Sequence, residues 1–116
     1  MSDKKFDLTE RLEDFAASII LLYDKKPMSY ASDYLAKQLI RSSCSSALNY
    51  GEALGAGTDR DKINKLRICL KELRESMGNL NIQSKANLFS EETLSKLKDE
   101  NDQLIRIIVT RIKNIN

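Results

Sequence analysis

Apolar residues recur along this chain at intervals near 3.6, and no stretch alternates convincingly enough to read as a strand. In the first segment Leu8, Leu12, Phe15, Ala16, Ile19, Leu22 and Tyr23 fall on one face, predicting a helix over about 8–25. Asp7 and Glu10 carry capping-box spacing at its start, and Pro27 is expected to stop it. A second helix is predicted over 32–54, with Ser32 as N-cap and the Gly55-Ala56-Gly57 segment supplying positive φ at its end. Its apolar and small positions form two adjoining rows. One is Leu35, Leu39, Ser42, Ser46 and Asn49; the other is Ala36, Ile40, Ser43, Ala47, Tyr50 and Leu54.

The third helix is predicted over about 59–80. Its seam of Ile63, Leu66, Leu70, Leu73, Met77 and Leu80 has the alternating three-four spacing of bundle packing. Gly78 weakens its last turn, and 81–89 reads as the longest connection. A fourth helix is predicted over 91–112, capped by Ser90. Leu94, Leu97, Leu104, Ile108, Ile112 and Ile115 face inward, with Asn101 in the seam. Ile105, Ile107 and Val109 add apolar surface on its other sides and suggest a further partner. Four helices with short connections in 116 residues predict one all-α domain over 1–116, an antiparallel up-down-up-down four-helix bundle.

The stretch QLIRSSCSSALNYGEA, Gln38 to Ala53, sits in the middle of the second helix and holds four serines, a cysteine, two alanines and a glycine. Small side chains let neighbouring helices approach closely, so this helix is expected to be central and crowded on more than one side. Its polar row, Arg41, Ser45, Asn49 and Glu52, is spaced four, four and three and lies on one helix face.

Composition narrows the chemistry. The chain has no histidine, which removes the commonest general base and metal ligand. Cys44 and Cys69 make no zinc site and read as buried reduced thiols of a cytoplasmic protein. The first ten residues lack the apolar core of a signal peptide. The longest apolar run, Phe15 to Tyr23, is nine residues, well short of the ~20 that span a bilayer. Neither a nucleophile-base pair nor a phosphate-cradling loop is visible, so no catalytic residue is assigned.

Two groups of polar residues remain. The first is Arg41, Ser45, Asn49 and Glu52 with Lys71, Glu72 and Glu75, expected to form a structural network that fixes helix register. Glu52, Glu72 and Glu75 invite a carboxylate metal site, but without histidine a di-iron centre cannot take its usual form. Glu72 and Glu75 are also expected to diverge from a strictly shared face. No metal or cofactor is assigned. The second group is Arg60, Arg67, Lys71 and Arg74, spaced seven, four and three along the third helix as a basic stripe. Arg106, Arg111 and Lys113 read as cations placed to suit the dipole at a helix C-terminus.

Gln38, Leu39, Arg41, Ser42, Ser45, Asn49, Glu52 and Ala53, followed by Leu70, Lys71, Glu72, Glu75 and Ser76, resemble the motifs of the bacterial four helix bundle protein family. That family is also called the 23S rRNA intervening-sequence protein family. Glu100 to Leu104 and Ile108 are similar to its last helix. The resemblance implies an antiparallel four-helix bundle, a homo-oligomer that in known relatives is a ring of five, and no enzymatic activity. It also implies a nucleic-acid role, since the accessory variability factor of diversity-generating retroelements is related.

A net charge of +2 is too small to argue for nucleic acid by itself. Repetition of the stripe in an oligomer would accumulate phosphate contacts, which gives the leading expectation: a non-enzymatic oligomer that binds RNA or DNA through repeated basic surfaces. The competing expectation is a structural or regulatory module whose partner is a protein, captured through the small-residue face of the second helix.

Overall fold

The computed structural model describes residues 7–26 and 28–115. Pro27, expected to stop the first helix, and residues 1–6, read against a signal peptide, lie outside them. Four helices follow in order: α1 (Leu8–Tyr23), α2 (Tyr30–Leu54), α3 (Asp59–Lys85) and α4 (Glu91–Ile115). The architecture is all-α, and each helix packs against its neighbours in sequence, with α4 returning to α1. Residues near the start of α2 meet the end of α3, and Glu52 near the end of α2 pairs with Lys65 near the start of α3. Consecutive helices therefore run antiparallel, and the bundle is the up-down-up-down arrangement that the short connections favour.

Helix boundaries follow their caps. The Asp7 carboxylate accepts from the Glu10 amide at 3.1 Å and starts α1. Ser29, not Ser32, caps α2, accepting from the Ser32 amide at 3.2 Å and adding two residues ahead of the predicted start. Thr58 caps α3, and Ser90 accepts from the Thr93 amide at the start of α4. Gly78 does not end α3; the helix continues to Lys85. It closes in a Schellman motif, in which the Leu88 amide reaches the Gln83 carbonyl at 3.1 Å and the Asn87 amide reaches that of Ser84 at 3.2 Å. Asn87 takes the left-handed conformation there, with φ 55°. The expectation of positive φ at the glycines after α2 fails: Gly55 has φ −91°, and among the described residues Lys25 is the other left-handed one.

The core is one cluster. Leu8, Leu12, Phe15, Ile19 and Tyr23 of α1 meet Leu39 and Tyr50 of α2, Leu66, Leu73 and Leu80 of α3, and Leu94, Leu104 and Ile108 of α4. Fully burying each leucine or isoleucine contributes on the order of 1.5–3 kcal/mol. The third-helix seam differs from its prediction. Ile63, Leu70 and Met77 are only half-buried, whereas Cys69, Glu72, Ser76, Asn79 and Gln83 turn inward beside Leu66, Leu73 and Leu80. On α2 the buried line is Ala36, Leu39, Ser43, Ser46, Tyr50 and Ala53 with Ser42, and Leu54 is exposed. The expected apolar surplus on α4 is absent, because Ile105 and Ile107 pack against the core and Val109 is half-buried. The exposed large apolar side chains lie elsewhere: Ile20 and Leu21 on α1, Tyr30, Tyr34, Leu48 and Leu54 on α2, and Ile68 and Ile82 on α3.

A hydrogen-bond relay fixes the register of three helices at one end. The Tyr23 hydroxyl donates to Gln83 Oε1 at 2.5 Å, Gln83 Nε2 donates to Asn79 Oδ1 at 2.7 Å, and Asn79 Nδ2 donates to the Leu35 carbonyl at 2.9 Å. Burial raises the Tyr23 pKa against the opposing effect of the Gln83 bond, so the phenol stays protonated and able to donate. Near mid-bundle, Asn101 Nδ2 donates to the Leu73 carbonyl at 2.9 Å, so the polar residue expected in the α4 seam ties α4 to α3.

Candidate nucleic-acid interface

The two polar groups singled out in the sequence occupy adjacent faces of the bundle. Between α2 and α3, Arg41 reaches across to Glu72 at 3.1 Å and Glu75 at 2.6 Å. The two carboxylates do not diverge, contrary to expectation. Three residues on a helix return a side chain to within about 60° of its starting direction, close enough for one guanidinium to bridge both. The Glu75 bond, with the charges of both glutamates, raises the Arg41 pKa further. In return the Arg41 bond, supported by Glu72 and by the charges of Arg41 and Lys71, holds Glu75 below the ordinary carboxylate range.

Beneath this bridge the helices meet through hydroxyls. Ser42 and Ser76 lie 2.7 Å apart, Ser76 also donates to the Glu72 carbonyl, and Ser46 donates to the Ser43 carbonyl at 2.7 Å. The small-residue stretch of α2 is used largely inside the chain: Ser42, Ser43 and Ser46 are buried, and Cys44, Ser45 and Ala47 are half-buried. The rest of the proposed network is divided. Asn49 bonds locally to Ser45, Glu52 pairs with Lys65 at 2.7 Å, and Lys71 turns toward the neighbouring cleft. Cys69 is buried next to this layer, and burial, helped by the charge of Glu72, pushes its thiol up to about 12. It is a packing residue without nucleophilic character near neutral pH. Among the described residues no group of three or more potential ligands is placed to hold a metal.

On the other side of α3, a shallow cleft of about 420 Å³ separates it from α4. Arg67, Lys71 and Arg74 line one wall and Lys113 of α4 the other, over a floor of Leu70, Val109 and Ile112. Among the described residues none of these four cations makes an ion pair, although the charge of Lys71 is felt by Glu75, and no carboxylate lines the cleft, whereas Lys37, Arg106 and Arg11 are each paired with an acidic residue. Arg60 is exposed at the start of α3 and does not belong to the cleft. From the sequence, Lys113 reads only as a cation suited to the helix dipole. Its membership depends on α4 lying antiparallel beside α3, a relation that no local spacing encodes. Arg67 to Arg74 spans roughly 10 Å of helix, long enough to follow more than one phosphate of a strand. The cleft contains no aromatic side chain, so it has no platform for stacking bases.

Among the described residues no helix is long and apolar enough to cross a membrane. A comparison with curated proteins finds no match. Among solved structures the chain is similar to a protein of unknown function from the S23 ribosomal protein family of Bacteroides thetaiotaomicron. The two share 26% identity with a TM-score of 0.81, over 91% of this chain and 98% of that one. Residues 4–110 match the sequence pattern of the 23S rRNA-intervening sequence proteins, and the motifs of α2 and α3 fall within that span. The chain belongs to the 23S rRNA-intervening sequence protein family.

Proposed function

We propose that this protein is a non-enzymatic, self-assembling scaffold of the cytoplasm that binds RNA or DNA through the basic cleft between α3 and α4. The single observation that supports it best is the convergence of Arg67, Lys71, Arg74 and Lys113 on one cleft with no carboxylate among its lining residues. Cations facing one cleft attract phosphate, and releasing the counterions of a polyanion drives its binding. With aliphatic residues on the floor and no aromatic present, the contacts follow the backbone and do not read sequence.

Self-assembly has its own support. Tyr30, Tyr34 and Leu48 on α2 and Ile68 and Ile82 on α3 are exposed to either side of the Arg41–Glu75 bridge. These apolar groups flanking a charged centre suit contact between copies, with a ring of five as the expected form by family resemblance. Each copy then contributes one cleft, and several weak phosphate sites act as one polyvalent surface. The same face would serve a purely structural module with a protein partner, and binding to nucleic acid separates the two readings.

The experiment compares RNA binding by the parent, the charge-reversed Arg67→Glu/Arg74→Glu protein, and a control, Lys37→Glu/Arg106→Glu, which alters net charge equally at cations already paired. Loss of binding only in the first variant is the expected result. Equal binding by all three proteins would remove the cleft from the reading.

A further inference from the structure

α1 is shorter than its neighbours. It has 16 residues, against 25, 27 and 25 in α2, α3 and α4. The bond from Tyr23 to Gln83 sets its C-terminal end level with the end of α3. The deficit, about 13 Å at 1.5 Å per residue, therefore falls entirely at the N-terminal end of α1. There α2, α3 and α4 continue without a fourth described helix beside them. A pocket of about 170 Å³ opens among those three helices.

Its chemistry is specific. Ala53, Leu54, Leu66 and Ile115 supply apolar walls. Two cations stand in the lining, Lys62 and Arg111, with no carboxylate among the lining residues. Arg111 Nη1 donates to the buried Tyr50 hydroxyl at 3.0 Å, which holds the guanidinium over the pocket. Lys62 is half-buried and, among the described residues, makes no ion pair. The pocket is partly open to solvent, with Asn114 also at its edge, and its volume has room for a benzene-sized body against the apolar wall. A half-buried cation with no anion, next to a second one that is already oriented, calls for a single negative charge at the mouth.

We propose that this pocket binds a small monocarboxylate with an aromatic or branched aliphatic body, its carboxylate held by Arg111 and Lys62 and its body seated on Ala53, Leu66 and Ile115. The site is distinct from the basic cleft, which has a wider and shallower form and four cations, and it does not depend on nucleic-acid binding.

The test is an NMR titration of the labelled protein with benzoate, and separately with benzyl alcohol, its neutral counterpart of nearly the same shape. Saturable shifts at the amides of Ala53, Leu66 and Ile115 are expected, with benzoate binding about tenfold tighter than benzyl alcohol, the worth of one charge-assisted hydrogen bond. Arg111→Gln and Lys62→Gln should each remove most of that advantage, and Arg67→Gln should not change it. Equal affinity for the two probes, shifts gathered around Arg67 and Lys113 instead, or no saturable shift would each overturn the assignment. The comparison of the two probes on the unmodified protein decides the matter even if a variant folds poorly.

Discussion

The two halves of the bundle are built on opposite principles. The buried face of α1 is Leu8, Leu12, Phe15, Ala16, Ile19 and Tyr23, and α4 adds Leu94, Leu104 and Ile108 with one asparagine. The buried faces of α2 and α3 carry Ser42, Ser43, Ser46, Ser76, Glu72, Asn79 and Gln83 among fewer large apolar residues. Among the pairs in contact, α2 and α3 make the most extensive close approach, and α1 and α4 the least. Large side chains hold helices apart and supply burial free energy without demanding one register. Small side chains bring backbones together, and the polar contacts that cross between them, Ser42 with Ser76, Arg41 with Glu72 and Glu75, and Asn79 with the Leu35 carbonyl, are satisfied in one alignment only. One half supplies stability and the other uniqueness. The polar half also leaves α3 free to turn its remaining cations toward α4.

The largest expected effect tests the apolar half. Leu104→Ala removes a fully buried side chain and should lower unfolding free energy by about 3 kcal/mol, measured by denaturant titration. The corresponding lesion in the polar half is an insertion. Ser46→Leu forces a large side chain into a fully buried position of α2 and should cost about 2 kcal/mol. Ser46→Ala should cost less than about 1 kcal/mol, because the hydroxyl bonds only its own helix. If Ser46→Leu were tolerated, the packing around α2 would not depend on small residues.

Arg41→Ala strips the principal cation from Glu72, whose side chain is 8% exposed, and should cost about 1–2 kcal/mol. That loss should depend on pH. The folded pKa of Glu75 is depressed, so its stabilising contribution is complete above the unfolded value near 4.5 and disappears as pH falls through the lower folded value. The gap in stability between the parent and Arg41→Ala should therefore narrow below pH 4.5. A gap that stayed constant to strongly acid pH would contradict the bridge. The smallest effect is a gain. A Cβ at Gly78 meets nothing within 4 Å, and this mid-helix glycine costs stability, so Gly78→Ala should raise stability by roughly 0.5–1 kcal/mol.

The same contrast explains which parts of the fold could be read from the chain. The inward face of α1 was legible because every position on it is apolar or small, and the 3.6 period needs nothing else. The seam of α3 was legible only at Leu66, Leu73 and Leu80. Glu72, Asn79 and Gln83 turn inward because Arg41, the Leu35 carbonyl and Tyr23 meet them from other helices. These partners lie 31 to 60 residues away, beyond any local pattern. The basic cleft divides in the same manner. Arg67, Lys71 and Arg74 share a spacing and could be grouped from sequence. Lys113 joins them, and Arg60 drops out, only once α4 is laid against α3. Asn87 provides the left-handed turn after α3, where no glycine marks it, whereas the glycines after α2, expected to take positive φ, do not.

The most direct test of the basic cleft is the slope of log affinity against log salt for a single-stranded RNA, measured on the parent and on Arg67→Gln/Lys71→Gln/Arg74→Gln/Lys113→Gln. Each phosphate contact contributes a slope of about −0.7, so neutralising the cleft should flatten the slope by roughly 2–3. An unchanged slope, with the variant binding as tightly as the parent, would show that the cleft does not meet phosphate.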